Sequence, residues 1–200
     1  GINVGNIVLA TPAGLAAPLV VDGALSAAAV TGSGVSNVSL VANGNITVTG
    51  NIDNTRNDAN SNDINVMSNA AVALGGATTG ASGLNGFRSG SISLIGSSIA
   101  WTGSIDATGS GASSTAGNIA LLANGTTGTV ISGVDIRANG NGGGYAGNLS
   151  ILSPFANTSI SSISLTATEG LGGNLTFIGE GLSLTGLTAN ANGSALDVSS

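Results

Sequence analysis

The chain has no cysteine and no histidine. Its only cations are Arg56, Arg88 and Arg137, so lysine is missing as well. Charged residues make up 6% of the sequence and aromatic residues 2%. Each absence excludes something. Without cysteine there is neither a disulfide framework nor a thiolate metal site. Without clustered cations nothing can displace counterions from a nucleic acid, and an anionic membrane surface has little to attract. Nine carboxylates against three arginines leave a net charge of −6. Long apolar runs are also missing. The longest candidate, 15–30, is interrupted by Pro18, Asp22 and Gly23, so no membrane insertion is expected. Disorder fits no better, because disordered chains combine low hydrophobicity with high charge, and here hydrophobic residues reach 42%.

Glycine is abundant, 34 of 200 residues, and asparagine, serine and threonine fill much of the remainder. The surface must therefore be built from small neutral polar groups. Gly1 opens the chain and nothing leader-like follows it, so the sequence reads as a processed or excised piece.

The stretch "GNIALLANG" at 117 has near-copies: "GNIVLA" at 5, "SNVSLVANG" at 36, "GNLSILS" at 147 and "GNLTFIGEG" at 173. Taking the residue before each aliphatic run as an anchor gives Asn6, Asn37, Asp63, Ser91, Asn118, Asn148 and Asn174, spaced 26 to 31 residues apart. The next position reads Ile7, Val38, Ile64, Ile92, Ile119, Leu149 and Leu175. Two further on it reads Leu9, Leu40, Val66, Leu94, Leu121, Ile151 and Phe177. Two beyond that, every residue is small or polar. This alternation predicts a strand with one buried face. A second strand region follows in each unit, clearest in "NITVTGNID" at 45 and "SIAWTGSIDATG" at 98, where Ile52, Ile105, Ile136 and Leu187 align. Stretches such as "NTRNDANSND" and "ANGNGGGYAG" close the units as turns and loops. Helix formers are scarce, and only the alanine-rich part of 13–29 leaves room for a helix.

Units this short cannot bury an apolar face alone. Coiled into rungs, they hydrogen-bond to their equivalents above and below, about 4.8 Å away, and like side chains stack on like. The GN pair is expected at the bends, with glycine permitting positive φ, asparagine tolerating left-handed backbone, and its amide pairing with the next rung. The expected fold is all-β: a right-handed parallel β-helix (solenoid) of about seven rungs, forming one domain over 1–200, with the start of an eighth rung at "ALDVSS". Seven rungs make a rod about 34 Å long.

The pattern "GNIxLxA…I…TGxIDAxG" resembles the right-handed parallel β-helix proteins of the filamentous-haemagglutinin and autotransporter-passenger group. That resemblance implies export and a secreted, extracellular or cell-surface location.

The sequence offers few candidate sites, and each has a plainer explanation. Asp53 and Asp106 of the "ID" motif suggest paired acids. They are expected two rungs apart with Ala77 or a neighbour between them, and with Asp135 one residue out of register, as solvated turn residues rather than a catalytic or calcium pair. The loop at 54–63, with Arg56, Asp58 and Asp63, lacks the spacing of a calcium loop. Tyr145, Phe87 and Arg88 fall on glycine-rich loops, which suits either contact with sugars or a neighbouring subunit or rings folded back on the rod. Trp101 is expected to fill the core. Thr47 and Thr49 hint at an ice-binding array, but the matching places, Ala100 and Thr102, then Ile131 and Gly133, break it. Glycosylation sequons begin at Asn37, Asn45, Asn124, Asn148, Asn157, Asn174 and Asn192; several fall at strand starts, where a glycan would clash. No catalytic, cofactor-binding or metal residue is assigned, and no cofactor is expected.

Neither end shows a cap, so the open ends invite pairing. The expected role is a non-enzymatic extracellular structural rod or fibre subunit, stacking head to tail with itself and in contact with surface polysaccharide or a host substratum. The alternative is a surface adhesin fragment or a carbohydrate-binding or carbohydrate-active β-helix.

Overall fold

The computed structural model describes residues 6–27, 37–55, 63–81, 88–109, 113–125, 129–167, 170–189 and 196–199. The described residues contain strands, turns and bends but no helix. The first rung holds β1 (Ile7–Ala10), β2 (Leu19–Val21) and β3 (Leu25–Ser26). The second holds β4 (Val38–Ala42), β5 (Ile46–Val48) and β6 (Ile52–Asp53). The third holds β7 (Ile64–Ser68), β8 (Val72–Leu74) and β9 (Thr78–Gly80), and the fourth β10 (Ile92–Gly96), β11 (Ile99–Trp101) and β12 (Ser104–Asp106). Beyond these the corners merge into longer strands. β13 (Ile119–Ala123) is followed by β14 (Thr129–Arg137), and β15 (Leu149–Leu165) and β16 (Leu175–Ala189) each run through all three faces. β17 (Leu196–Ser199) stacks on the start of β16, as expected for "ALDVSS".

All named pairings are parallel and join one rung to the next, so the fold is a parallel β-solenoid. On its first face Ile7, Val38, Ile64, Ile92, Ile119, Leu149, Leu175 and Leu196 are successive Cα partners. Leu9, Leu40, Val66, Leu94, Leu121, Ile151, Phe177 and Val198 form the second such column. From the second rung to the seventh both columns are buried. On the third face Ile52, Ile105, Ile136 and Leu187 do share a column, linked through Thr79 and Ile163. Alternation therefore places one aliphatic core along the axis, closed by three parallel ladders.

The anchors lock the rungs together. At five of the six steps the anchor's side-chain oxygen accepts the backbone N–H of the next anchor: Asn6 from Asn37 (2.9 Å), Asn37 from Asp63 (3.1 Å), Asp63 from Ser91 (2.8 Å), Asn118 from Asn148 (2.9 Å) and Asn148 from Asn174 (3.0 Å). An oxygen acceptor is what this column selects, which is why aspartate substitutes for asparagine at 63. The φ argument for the GN pair fails. Among the described residues only Ser113, Gly14, Gly23 and Gly142 have positive φ. Glycine stands before the anchor for a steric reason: a Cβ on Gly147 would lie 1.8 Å from the Gly117 carbonyl oxygen. The same glycines close each turn, because Gly117 N–H donates to Ala107 O and Gly147 N–H to Ala138 O within a single rung. The glycine-rich segment between those two points is thus closed at its base.

The alanine-rich segment is not helical. Residues 13–27 form a turn and then β2 and β3, because Leu19, Val21 and Leu25 repeat the strand alternation and lie under Ile46, Val48 and Ile52. Residues 28–36 lie outside the described residues.

Candidate functional site

The outward columns are the surfaces available to a partner, and the three faces differ. On the second face Val20, Thr47, Ala73, Ala100, Ser132, Ser159 and Ser183 are successive partners, small or polar except at the first rung. On the third face the column runs Ser26, Asp53, Gly80, Asp106, Arg137, Ser164 and Thr188 and carries charge. The first face has two outward columns. One is small and polar past the first rung: Ser39, Asn65, Ser93, Ala120, Ser150 and Thr176. Beside it Ala10, Val41, Met67, Ile95, Leu122, Leu152 and Ile178 form an unbroken apolar column.

The carboxylates do not assemble into a reactive centre. Gly80, not Ala77, separates Asp53 from Asp106, since the third rung pairs Gly80 with both. Two rung spacings put the two backbones about 10 Å apart. Asp135 pairs with Ser104, and Arg137 is the partner of Asp106, so Asp135 lies two positions from the acid column rather than one. Arg137 Nε lies 2.5 Å from Asp135 Oδ2, an ion pair within one strand. Asp53 Oδ1 accepts the Thr55 N–H at 2.9 Å, and Asp106 Oδ1 accepts the Thr108 N–H at 2.8 Å. Each aspartate therefore shapes the bend that follows its strand, the usual use of an aspartate side chain two residues ahead of an N–H. Asp106→Ala is expected to cost about 1 kcal/mol, and Asp106→Asn, which keeps the acceptor, far less; thermal denaturation of both variants measures the difference. Among the described residues no group of three His, Cys, Asp or Glu side chains is placed to hold a metal.

Trp101 fills the core, as expected. It is 4% exposed, and its Nε1 donates to the Asp135 carbonyl at 3.2 Å. Its size is accommodated by Gly133 in the next rung, where a Cβ would sit 1.8 Å from the indole ring. Over this part of the second face lies an open groove of about 440 Å³, lined by Thr47, Thr49, Ala73, Ala100, Thr102 and Ser132 among others. Its lining carries no ionisable side chain. The residue in register with Thr47 and Ala100 in the next rung is Ser132, not Ile131, which pairs with Ile99. A threonine array is interrupted either way.

Tyr145 is exposed at its loop, and the Ala146 N–H bonds to Leu171 O in the next rung, so the loops themselves stack. Arg88 is exposed. Phe87, Arg56, Asp58 and Asn192 lie outside the described residues. Of the sequon asparagines, Asn37, Asn45 and Asn148 use their side-chain oxygen to hold the following rung. A glycan there would compete with the rung lock. No helix among the described residues is long and apolar enough to cross a membrane. Comparison with protein families, with curated proteins and with solved structures found no match for this chain.

Proposed function

We propose that the chain is a non-enzymatic structural rod of an extracellular or cell-surface filament, of the filamentous-haemagglutinin and autotransporter-passenger kind, lengthened by end-to-end stacking. One observation carries the reading: the two interior columns of the first face run in register from β1 to β17, and apolar side chains of the first and seventh rungs are only partly covered. Ile7, Leu9, Leu19, Val21 and Leu25 at one end, and Leu182 and Leu184 at the other, pack on the core yet are incompletely buried. A rung of the same shape stacked on them buries these side chains, and one contributed by a second copy does so in a heterologous, non-closing contact. The scarcity of charge supports this, because little repulsion opposes axial contact. The GN-aliphatic repeat and the "IDAxG" turn support the kinship on sequence pattern.

Electron microscopy of the purified chain tests this. Strings whose lengths rise in steps of about 34 Å, whatever their width, are the expected result. Dispersed single rods at high concentration overturn it. A second reading, a carbohydrate-binding or adhesive module, draws on exposed Tyr145, which is 53% accessible on its stacked loop. It requires that Tyr145→Ala lower glycan retention while leaving the melting temperature unchanged.

A further inference from the structure

The first face carries an aliphatic column in an outward position, which strand alternation does not require. Val41, Met67, Leu152 and Ile178 are 39%, 47%, 39% and 43% exposed, and Ile95 and Leu122 between them are half-buried. Singly exposed aliphatic residues are ordinary, but a contiguous stripe is not. The other two faces present serine, threonine, alanine, aspartate and arginine at their outward columns over the same rungs.

From these columns we infer that the first face is a lateral docking surface for the first face of a second copy of this chain. The occupant follows from shape, area and charge. Across the first seven rungs both outward columns of this face are free of ionisable groups, so there is nothing to recruit a charged partner and nothing to repel a like one. A bilayer surface is disfavoured by the net charge of −6. The two columns lie side by side, one bulky and aliphatic, one small: Ser39, Asn65, Ser93, Ala120 and Ser150. A two-fold axis lays the bulky column of each rod over the small column of its partner, an isologous and self-complementary fit. Seven rungs by five residues give a face of about 30 Å by 16 Å, so pairing removes about 1,000 Å² in total, near the lower bound of a specific interface. The contact is perpendicular to the end-to-end one. It widens a filament rather than lengthening it, and it stands whether or not the ends stack.

Sedimentation over a concentration series is the test, with the intact chain as the reference. A species of twice the chain mass is expected. Met67→Lys and Leu152→Lys should each weaken it at least tenfold, while Ser159→Lys, on an exposed outward site of the second face, should leave it unchanged. Since the chain has no cysteine, Ile95→Cys gives a single thiol at the middle of the face. A short bismaleimide should join two such chains, because packed sheets stand about 10 Å apart, and should fail to join Ser159→Cys chains. In micrographs, lateral failure leaves single-width objects of any length, whereas axial failure leaves short objects of double width. A wild type that stays monomeric at every concentration, lysine variants that associate as tightly as the wild type, or equal cross-linking at 95 and 159 each overturn the assignment.

Discussion

Leu121→Asp is expected to abolish the folded state, while Ala120→Asp, one residue away, leaves it standing. Leu121 is 1% exposed and lies between Leu94 and Ile151 in the interior column. A carboxylate there loses its hydration, and its neighbours in the column, Leu94 and Ile151, offer no cation to pair with. The cost is the lost aliphatic burial, about 2 to 3 kcal/mol, together with several kcal/mol for an uncompensated charge or for keeping the group protonated. Domains of ordinary size have about 5 to 15 kcal/mol in all. Because rungs are held chiefly by their neighbours, a fault in the fifth rung also strips support from the fourth and the sixth. Ala120 points outward between Ser93 and Ser150 and is exposed. Its replacement costs at most about 1 kcal/mol through β-propensity. Far-ultraviolet circular dichroism with a thermal ramp reads both. Loss of the cooperative transition is expected for the first variant, and a midpoint near the wild type for the second. Equal behaviour of the two would falsify the assignment of inside and outside.

Gly147→Ala is expected to cost at least about 3 kcal/mol, the top of the overpacking range. The added Cβ would lie 1.8 Å from Gly117 O, 2.7 Å from Gly117 C and 3.1 Å from Ala138 Cβ. Two of these are backbone atoms fixed by the rung ladder, and they cannot swing aside as a side-chain tip can. Gly117 and Gly173 stand in the same relation to Gly90 and Gly147, so relief at one rung crowds the next. The informative contrast is Gly14→Ala. Gly14 has φ +83 but nothing within 4 Å of its virtual Cβ. Only left-handed strain opposes that change, about 1 to 2 kcal/mol. For a chain of this length, 1 kcal/mol moves the midpoint by roughly 2 to 4 °C. Gly147→Ala is therefore expected to lower it by roughly 6 to 12 °C and Gly14→Ala by considerably less. The reverse order would mean that glycine serves φ at the bend after all.

The rung order was legible because one interior position repeats without exception: Ile7 and its six partners in the following rungs are aliphatic, and backbone pairing forces like over like. The third-face column was legible only in part, since Thr79 interrupts it where Ile52 and Ile105 flank a hydroxyl. The first-rung strands β2 and β3 were hidden by alanine on either side of the alternating Leu19, Val21 and Leu25. The reason for the GN glycine could not be read from one chain segment, because the atom it avoids belongs to a rung roughly 30 residues earlier. The aliphatic stripe was visible in the sequence, four residues after each anchor, at Val41, Met67, Ile95, Leu122, Leu152 and Ile178. Only the burial pattern tells the outward phase of these strands from the inward one, since both phases carry aliphatic residues there. The charged residues gave no site because their separation depends on register: Asp53 and Asp106 look equivalent in sequence, and their equivalence is what holds them two rungs apart.

Register between successive rungs is the claim on which the core, the locks and both proposed contacts rest, and paired cysteines test it directly in a chain that has none of its own. Ser93 and Ala120 are Cα partners on adjacent rungs, both pointing outward. Parallel neighbours stand about 4.8 Å apart, within reach of a disulfide, whereas a two-residue offset stretches the pair to roughly 8 Å, beyond it. Ser93→Cys with Ala120→Cys should close an intramolecular disulfide under mild oxidation with the melting transition retained, and Ser93→Cys with Leu122→Cys should remain reduced. Closure of the offset pair in preference to the matched one would contradict rung-over-rung registry.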